Sequence, residues 1–236
     1  MRKNILALLI SFCIYGCSSI ELESASSSEE HAKRILSLGL SHEENLVEAN
    51  KLRGNHLISV VTLQLVNARD EKIQAENDII EAEKFAELVE VSQNGLNFMG
   101  AKIVETKETF FSSGINQQNY HLIGLRDPSS GVITHKLNLT LEHNSENIRN
   151  YTSANLCDKW ARCDSEMREI NQVSAIASNC AADSCKYKEV VELKLSDDFL
   201  KKHIDTGFSM RFYSKDESNK VRISKSYLMG YLSVTN

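Results

Sequence analysis

The feature that most constrains this chain is a change of hydrophobic period near residue 100. Beyond it, apolar residues recur at every second position in short runs broken by turn residues, the spacing of half-buried strands. The clearest unit is "NYHLIGLR", "DPSSG" and "VITHKLNLTLEH". Asp127 and Pro128 open a turn and Gly131 closes it, while Leu137, Leu139 and Leu141 alternate with Lys136, Asn138, Thr140 and Glu142, which predicts a β-hairpin with one wet face. "EVVELKL" repeats the pattern with Val191, Leu193 and Leu195, and "GFSMRFYS" and "KVRISK" predict a second hairpin across "KDESN". Between these units Ser196, Asp197 and Asp198 precede Phe199, Leu200 and Ile204, with basic residues late and Gly207 last, which spells one capped helix. Tyr227, Leu228 and Leu232 in the final "SYLMGYLSV" are expected to be buried, in a strand or a short helix.

Before residue 100 the period is helical. Ser28, Glu29 and Glu30 lead a short helix that Gly39 ends, and Ser41 with Glu44 three residues on forms a capping box for a second that runs to Gly54. "HLISVVTLQLVNARD" fits two periods: Val61, Leu63 and Leu65 alternate as in a strand, while Ile58, Val61, Leu65 and Ala68 keep a helical step. Its β-branched content favours a strand for residues 57–67, with one long coiled-coil helix over residues 58–89 as the alternative. "EKIQAENDIIEAEKFAELVEV" is amphipathic helix by the steps of Ala75, Ile79, Ala82, Ala86 and Val89. The fold expected is α+β: a helical N-terminal part followed by a mainly antiparallel, sandwich-like β domain with one or two helices.

The first residues carry a processing signal. Arg2 and Lys3 form a short positive region and "ILALLISFCIY" an apolar run of signal-peptide length, well short of the roughly 20 residues a membrane span requires. Ile14, Tyr15, Gly16 and Cys17 follow, with an aliphatic residue first and a small one immediately before the cysteine. This stretch resembles the lipobox of bacterial lipoproteins, although Tyr15 stands where that family usually has a small or hydroxyl residue. The resemblance covers only about the first twenty residues. It implies cleavage between Gly16 and Cys17, a diacylglycerol group and an N-acyl chain such as palmitate on Cys17, and stable anchoring by three chains. Ser18 and Ser19, in place of the Asp that favours inner-membrane retention in that family, imply the outer membrane. Apart from this covalent lipid, no cofactor is expected. The chain then divides into signal peptide 1–16, a Ser- and Glu-rich tether 17–30, a mainly helical segment 31–99 and a disulfide-braced β domain 100–236.

Loss of Arg2 and Lys3 with the leader takes the formal charge from −5 to −7, and no basic cluster falls on a predicted face, so no nucleic-acid partner is expected. Cys13 leaves with the leader and Cys17 takes lipid. Cys157, Cys163, Cys180 and Cys185 remain, an even set that reads as disulfides in an exported chain. Four cysteines allow three pairings. The short-range ones, Cys157 with Cys163 and Cys180 with Cys185, are favoured over a zinc site, because "CDKWARC" and "CAADSC" lack the tight spacing of zinc ribbons.

Asp205, Thr206 and Gly207 echo an aspartic-protease triplet, but glycine as a helix terminator explains them. His121 and His135 read as a surface pair roughly opposite one another across the hairpin. Trp160, between Cys157 and Cys163 with Lys159 and Arg162 nearby, is the candidate partner contact. No catalytic or metal-binding motif survives this weighing. The functional expectation is a non-enzymatic structural, accessory or binding lipoprotein of the cell envelope, held at the membrane and contacting another envelope protein or polymer. The alternatives are an envelope hydrolase with a site assembled from distant residues, or capture of a small ligand or peptide between "NFMGAKIV" and "SYLMGYL".

Overall fold

The computed structural model describes residues 27–235 apart from 109–114, 159–161 and 182–183. Its elements are helices and antiparallel sheets, hence α+β, in two compact units, Met1–Gln74 and Ala75–Asn236. No helix among the described residues is long and apolar enough to cross a membrane.

In the first unit α1 (Ser28–Ser37) begins within the stretch read as tether, and the Ser27 hydroxyl caps it by accepting from the Glu30 amide. α2 (His42–Ala49) carries the expected capping box: Ser41 Oγ accepts from the Glu44 amide and the Glu44 carboxylate accepts from the Ser41 amide at 2.8 Å. α3 (Asn55–Glu87) corrects the strand expectation for residues 57–67. Val61 and Leu65 are buried against Ile35, Ala49 and Leu52, with Ile58 packed beside them, so one helical face is used and the alternating set is not. Leu63, the residue that made the strand reading attractive, is exposed. No glycine or proline falls between Gly54 and Gly95, so nothing local stops the helix once tertiary contacts select its period.

The second unit contains the last turns of α3 and every strand, so its β structure begins before residue 100, at β1 (Glu90–Val91) and β2 (Asn97–Met99). β3 (Ile103–Glu108), β4 (Ile115–Arg126), β5 (Ile133–Ser145), β8 (Asn171–Ala181) and β9 (Ser184–Leu195) complete a seven-stranded sheet ordered β1-β2-β4-β5-β9-β8, with β3 also on β4. A four-stranded sheet runs β11-β10-β6-β7, from β6 (Ser153–Cys157), β7 (Arg168–Glu169), β10 (Phe208–Tyr213) and β11 (Ser218–Ile223). One core draws on both sheets: Leu122, Leu137, Leu139, Val191 and Leu193 from the larger, Met210, Phe212, Val221 and Ile223 from the smaller. α4 (Asp197–Lys202), capped by Ser196, and α5 (Lys225–Thr235) add Leu200, Tyr227, Leu228 and Tyr231 to it.

The β4–β5 hairpin forms as its alternation predicts, and Asp127 fixes its turn by accepting from the Ser129 and Ser130 amides and hydroxyls. The register corrects the surface histidine pair. His121 faces Asn138 and His135 faces Gly124, a three-residue offset that puts the two imidazoles on opposite sides of the sheet, and both are buried. "NFMGAKIV" and "SYLMGYL" pack directly on one another. The Tyr227 hydroxyl donates to the Ala101 carbonyl at 2.9 Å and accepts from the Leu122 amide at 3.0 Å, and a Cβ on Gly124 would lie 2.6 Å from the Tyr231 hydroxyl.

Candidate functional site

β6, β10 and β11 turn alternate side chains away from the core. The register sets Ser209 between Cys157 and Arg222, and Arg211 between Asn155 and Lys220, so these residues share the outer face of the four-stranded sheet. Cys157 and Cys163 are disulfide-bonded, and the loop ends Asp158 and Arg162 lie beside this face. The loop is further fixed by the Asp158 carboxylate, which accepts from the Arg162 amide and side chain, both at 2.9 Å, and by Asn155 Nδ2, which donates to the Asp164 carbonyl at 2.8 Å. Together with the α4–β10 turn at Thr206 and Gly207, loop and sheet enclose an open groove of about 650 Å³.

The charges in this groove are unevenly matched. Its carboxylates are already engaged, Asp158 with Arg162 and Asp164 with Arg168. Lys220 and Arg222 also line it, and among the described residues neither has a carboxylate partner. Arg211, likewise without one, stands directly opposite Lys220, a like-charge cross-strand pair that costs stability. His203 on the groove wall packs on Phe199 and Phe208, and burial, then Lys202 and Arg168, hold its pKa below the ordinary imidazole value. Its charged form is thus disfavoured, and the cations of the groove without a carboxylate partner among the described residues are Lys220 and Arg222. An arrangement of fixed cations with no opposing carboxylate suits reversible binding of anionic groups.

A second polar cluster joins β5, β8 and β9 of the large sheet to the β5–β6 connection. The Glu189 carboxylate, wholly buried, accepts from His143 Nε2 at 2.8 Å, from the amides of Arg149 at 2.9 Å and Asn150 at 3.0 Å, and from Gln172 Nε2 at 3.3 Å. His143 Nδ1 lies 3.0 Å from Ser145 Oγ, which completes a carboxylate–imidazole–hydroxyl series. Geometry argues against a nucleophile here. His143 is 1% exposed and Glu189 fully buried, and the serine hydroxyl donates to the Asn147 carbonyl at 2.6 Å. The cluster instead clamps the chain between β5 and β6, where Asn150 holds a positive φ of 56°. It gives the hydrolase alternative no support.

Of the residues singled out by sequence, Gly16, Cys17 and Trp160 lie outside the described residues. The two short-range disulfides both form, Cys157–Cys163 beneath the groove and Cys180–Cys185 at the tip of the β8–β9 hairpin. Asp205, Thr206 and Gly207 do not close α4, which ends at Lys202 with His203 as its C-cap; they form the turn into β10, where Gly207 sits at φ 65° and a Cβ would come within 2.8 Å of the Lys225 amide nitrogen. Sequence reading missed Arg211, Lys220 and Arg222 as a basic face. Their alternation was visible in "SMRFY" and "KVRIS", but only the β10–β11 register sets them side by side. Among the described residues no group of three His, Cys, Asp or Glu side chains is placed to hold a metal ion. No family model, curated protein or solved structure matches the chain.

Proposed function

We propose that this protein is an exported, lipid-anchored module of the bacterial cell envelope that binds an anionic partner through the groove beside Cys157–Cys163. The observation that carries the binding role is the placement of Lys220 and Arg222 there without carboxylate partners, on a braced face of an otherwise acidic chain. Support for the anchor is the run from Arg2 to Cys17, with Ser18 and Ser19 favouring the outer membrane. The two disulfides accord with an oxidising compartment. Trp160 lies between the groove-lining Asp158 and Arg162 in sequence and stays the sequence's candidate for partner contact. The partner on this reading is a carboxylate- or phosphate-bearing envelope protein or polymer, and the role is non-enzymatic.

The binding test uses the purified protein with polyglutamate and with inorganic phosphate as probes. Lys220→Glu combined with Arg222→Glu is expected to abolish binding of both, and wild-type affinity is expected to fall steeply with added salt. Lys220→Glu alone replaces a like-charge pair with an opposite-charge pair facing Arg211, so folding stability should rise by about 0.2–1 kcal/mol as binding falls. Unchanged binding by the double variant would remove the groove from the reading. The anchor has its own test: Cys17→Ser is expected to end acyl labelling, leave the precursor uncleaved and lower its resistance to extraction from membranes. Normal maturation of that variant would refute the lipid assignment without touching the groove.

A further inference from the structure

The margins of the two sheets are treated unequally. β1 and β7 are only two residues long, and β11 is covered: Gln118 Nε2 donates to the Lys220 carbonyl at 2.9 Å and the Tyr120 hydroxyl to the Arg222 carbonyl at 3.0 Å. Glu105 accepts from Gln118 Nε2 and shares the single Tyr120 hydroxyl proton with the Arg222 carbonyl, which holds those two side chains across the β11 edge. β3, which pairs only with β4, carries Glu105, Lys107 and Glu108. Short, covered or charged edges are the usual protection against pairing with another chain. β8 has none of these. It is an 11-residue terminal strand of the large sheet with nearly every side chain exposed, including Val173 at 51% and Ile176 at 59%. Its sequence, "NQVSAIASNCA", contains no charge and no proline, in a chain whose residues are 25% charged.

We infer that β8 is a self-pairing edge, through which two copies of this chain join antiparallel about a two-fold axis at Ile176. Three observations select a second copy as the occupant. The strand is regular only over Ser174–Ser178, because its register with β9 shifts on either side of that stretch. Within those limits the sequence reads the same in both directions: Ser174, Ala175, Ile176, Ala177, Ser178. An antiparallel two-fold pair centred on Ile176 therefore sets each serine against a serine, each alanine against an alanine and isoleucine against isoleucine, the self-complementarity an isologous interface demands. The absence of charge completes the argument, since any lysine or glutamate near the axis would meet its own copy. The nearest cations, Lys186 and Lys188 on β9, are drawn to Glu142 on β5, at 2.8 and 3.9 Å, and so away from the β8 edge. The Cys180–Cys185 bond pins the hairpin tip and fixes the strand that is presented. A pairing stretch this short places the dimer among small, reversible interfaces.

The test is the oligomeric state of the full chain purified in detergent, followed by sedimentation over a concentration series. Wild type is expected to shift from monomer to dimer. Ile176→Lys, which sets two ammonium groups together at the axis, is expected to weaken dimerisation at least about tenfold with an unchanged circular dichroism spectrum and thermal midpoint. Ile176→Cys should form an intermolecular disulfide on mild oxidation, and Val132→Cys, at an equally exposed site in the β4–β5 turn, should not. A wild-type chain that stays monomeric, a dimer indifferent to Ile176→Lys, or equal crosslinking at positions 176 and 132 would overturn the inference. Capture of another protein's strand by β8 would register as the first of these outcomes.

Discussion

Replacement of Glu189 with alanine is expected to destabilise the β unit by about 3–5 kcal/mol. The side chain itself is fully buried and receives His143 and the Arg149 and Asn150 amides, so its removal strands a buried imidazole and takes the acceptor from two part-buried backbone donors. Glu189→Gln keeps the shape and one acceptor oxygen, and its cost should be smaller, about 1–3 kcal/mol. Urea midpoints at neutral pH check both values. Burial is the largest single influence on the Glu189 carboxyl and disfavours its charge, but the bonds from His143, Arg149 and Asn150 together outweigh it and hold the pKa below the ordinary value of 4.5. The sign follows: between the two values the unfolded chain binds the proton and the folded chain does not, so the stabilisation is complete above the unfolded pKa and is lost as pH falls through the folded one. Wild type should therefore lose stability more steeply than Glu189→Gln on acidification below about pH 4.5.

The second large effect is expected at Gly230, where α5 meets the end of α3. In an ordinary helix interior, glycine to alanine stabilises by about 1 kcal/mol. Here a Cβ would stand 2.8 Å from Phe85 Cβ and 2.9 Å from the Ala86 amide nitrogen, and closer still to the Ala82 carbonyl oxygen. The backbone of α3 cannot yield as a flexible side chain could. Gly230→Ala should therefore destabilise, and Gly230→Leu should cost more than about 3 kcal/mol and separate the two helices. The contacts at risk include Ser226 Oγ to the Glu81 carboxylate at 3.0 Å and the Lys225–Asp78 ion pair at 3.1 Å. Thermal unfolding followed by circular dichroism gives the ranking, with Ser233→Ala on the exposed side of α5 as the near-neutral control. A Gly230→Leu variant as stable as wild type would show that α3 and α5 do not pack this closely.

What could be read from the chain was whatever short-range chemistry decides. Ser41 and Glu44 specify a helix start within four residues, Asp127 to Gly131 specify a turn, and Leu137, Leu139 and Leu141 specify which face of β5 is buried. The disulfide pairs were legible because the members of each pair are only six and five residues apart in sequence. Residues 57–67 were not, since their apolar positions satisfy both periods and only the contacts of Val61 and Leu65 with α1 and α2 choose between them. The two histidines were misplaced by a three-residue offset in register, which no local signal records. The basic face and the buried Glu189 share that origin. Each joins residues from separate strands, and a charge looks solvated in sequence until a register shows what lies opposite.

By itself the sequence determined the α+β class, the caps and turns, and the joining of Cys157, Cys163, Cys180 and Cys185 in two short-range pairs. Each of these depends on groups a few residues apart, whose geometry the backbone fixes. The tertiary structure alone decided that Lys220 and Arg222 share a groove, that Glu189 receives two distant amides and an imidazole, and that β8 is left as a bare margin. Strand order and register make those choices, through the burial of one shared core rather than through any local preference of the chain.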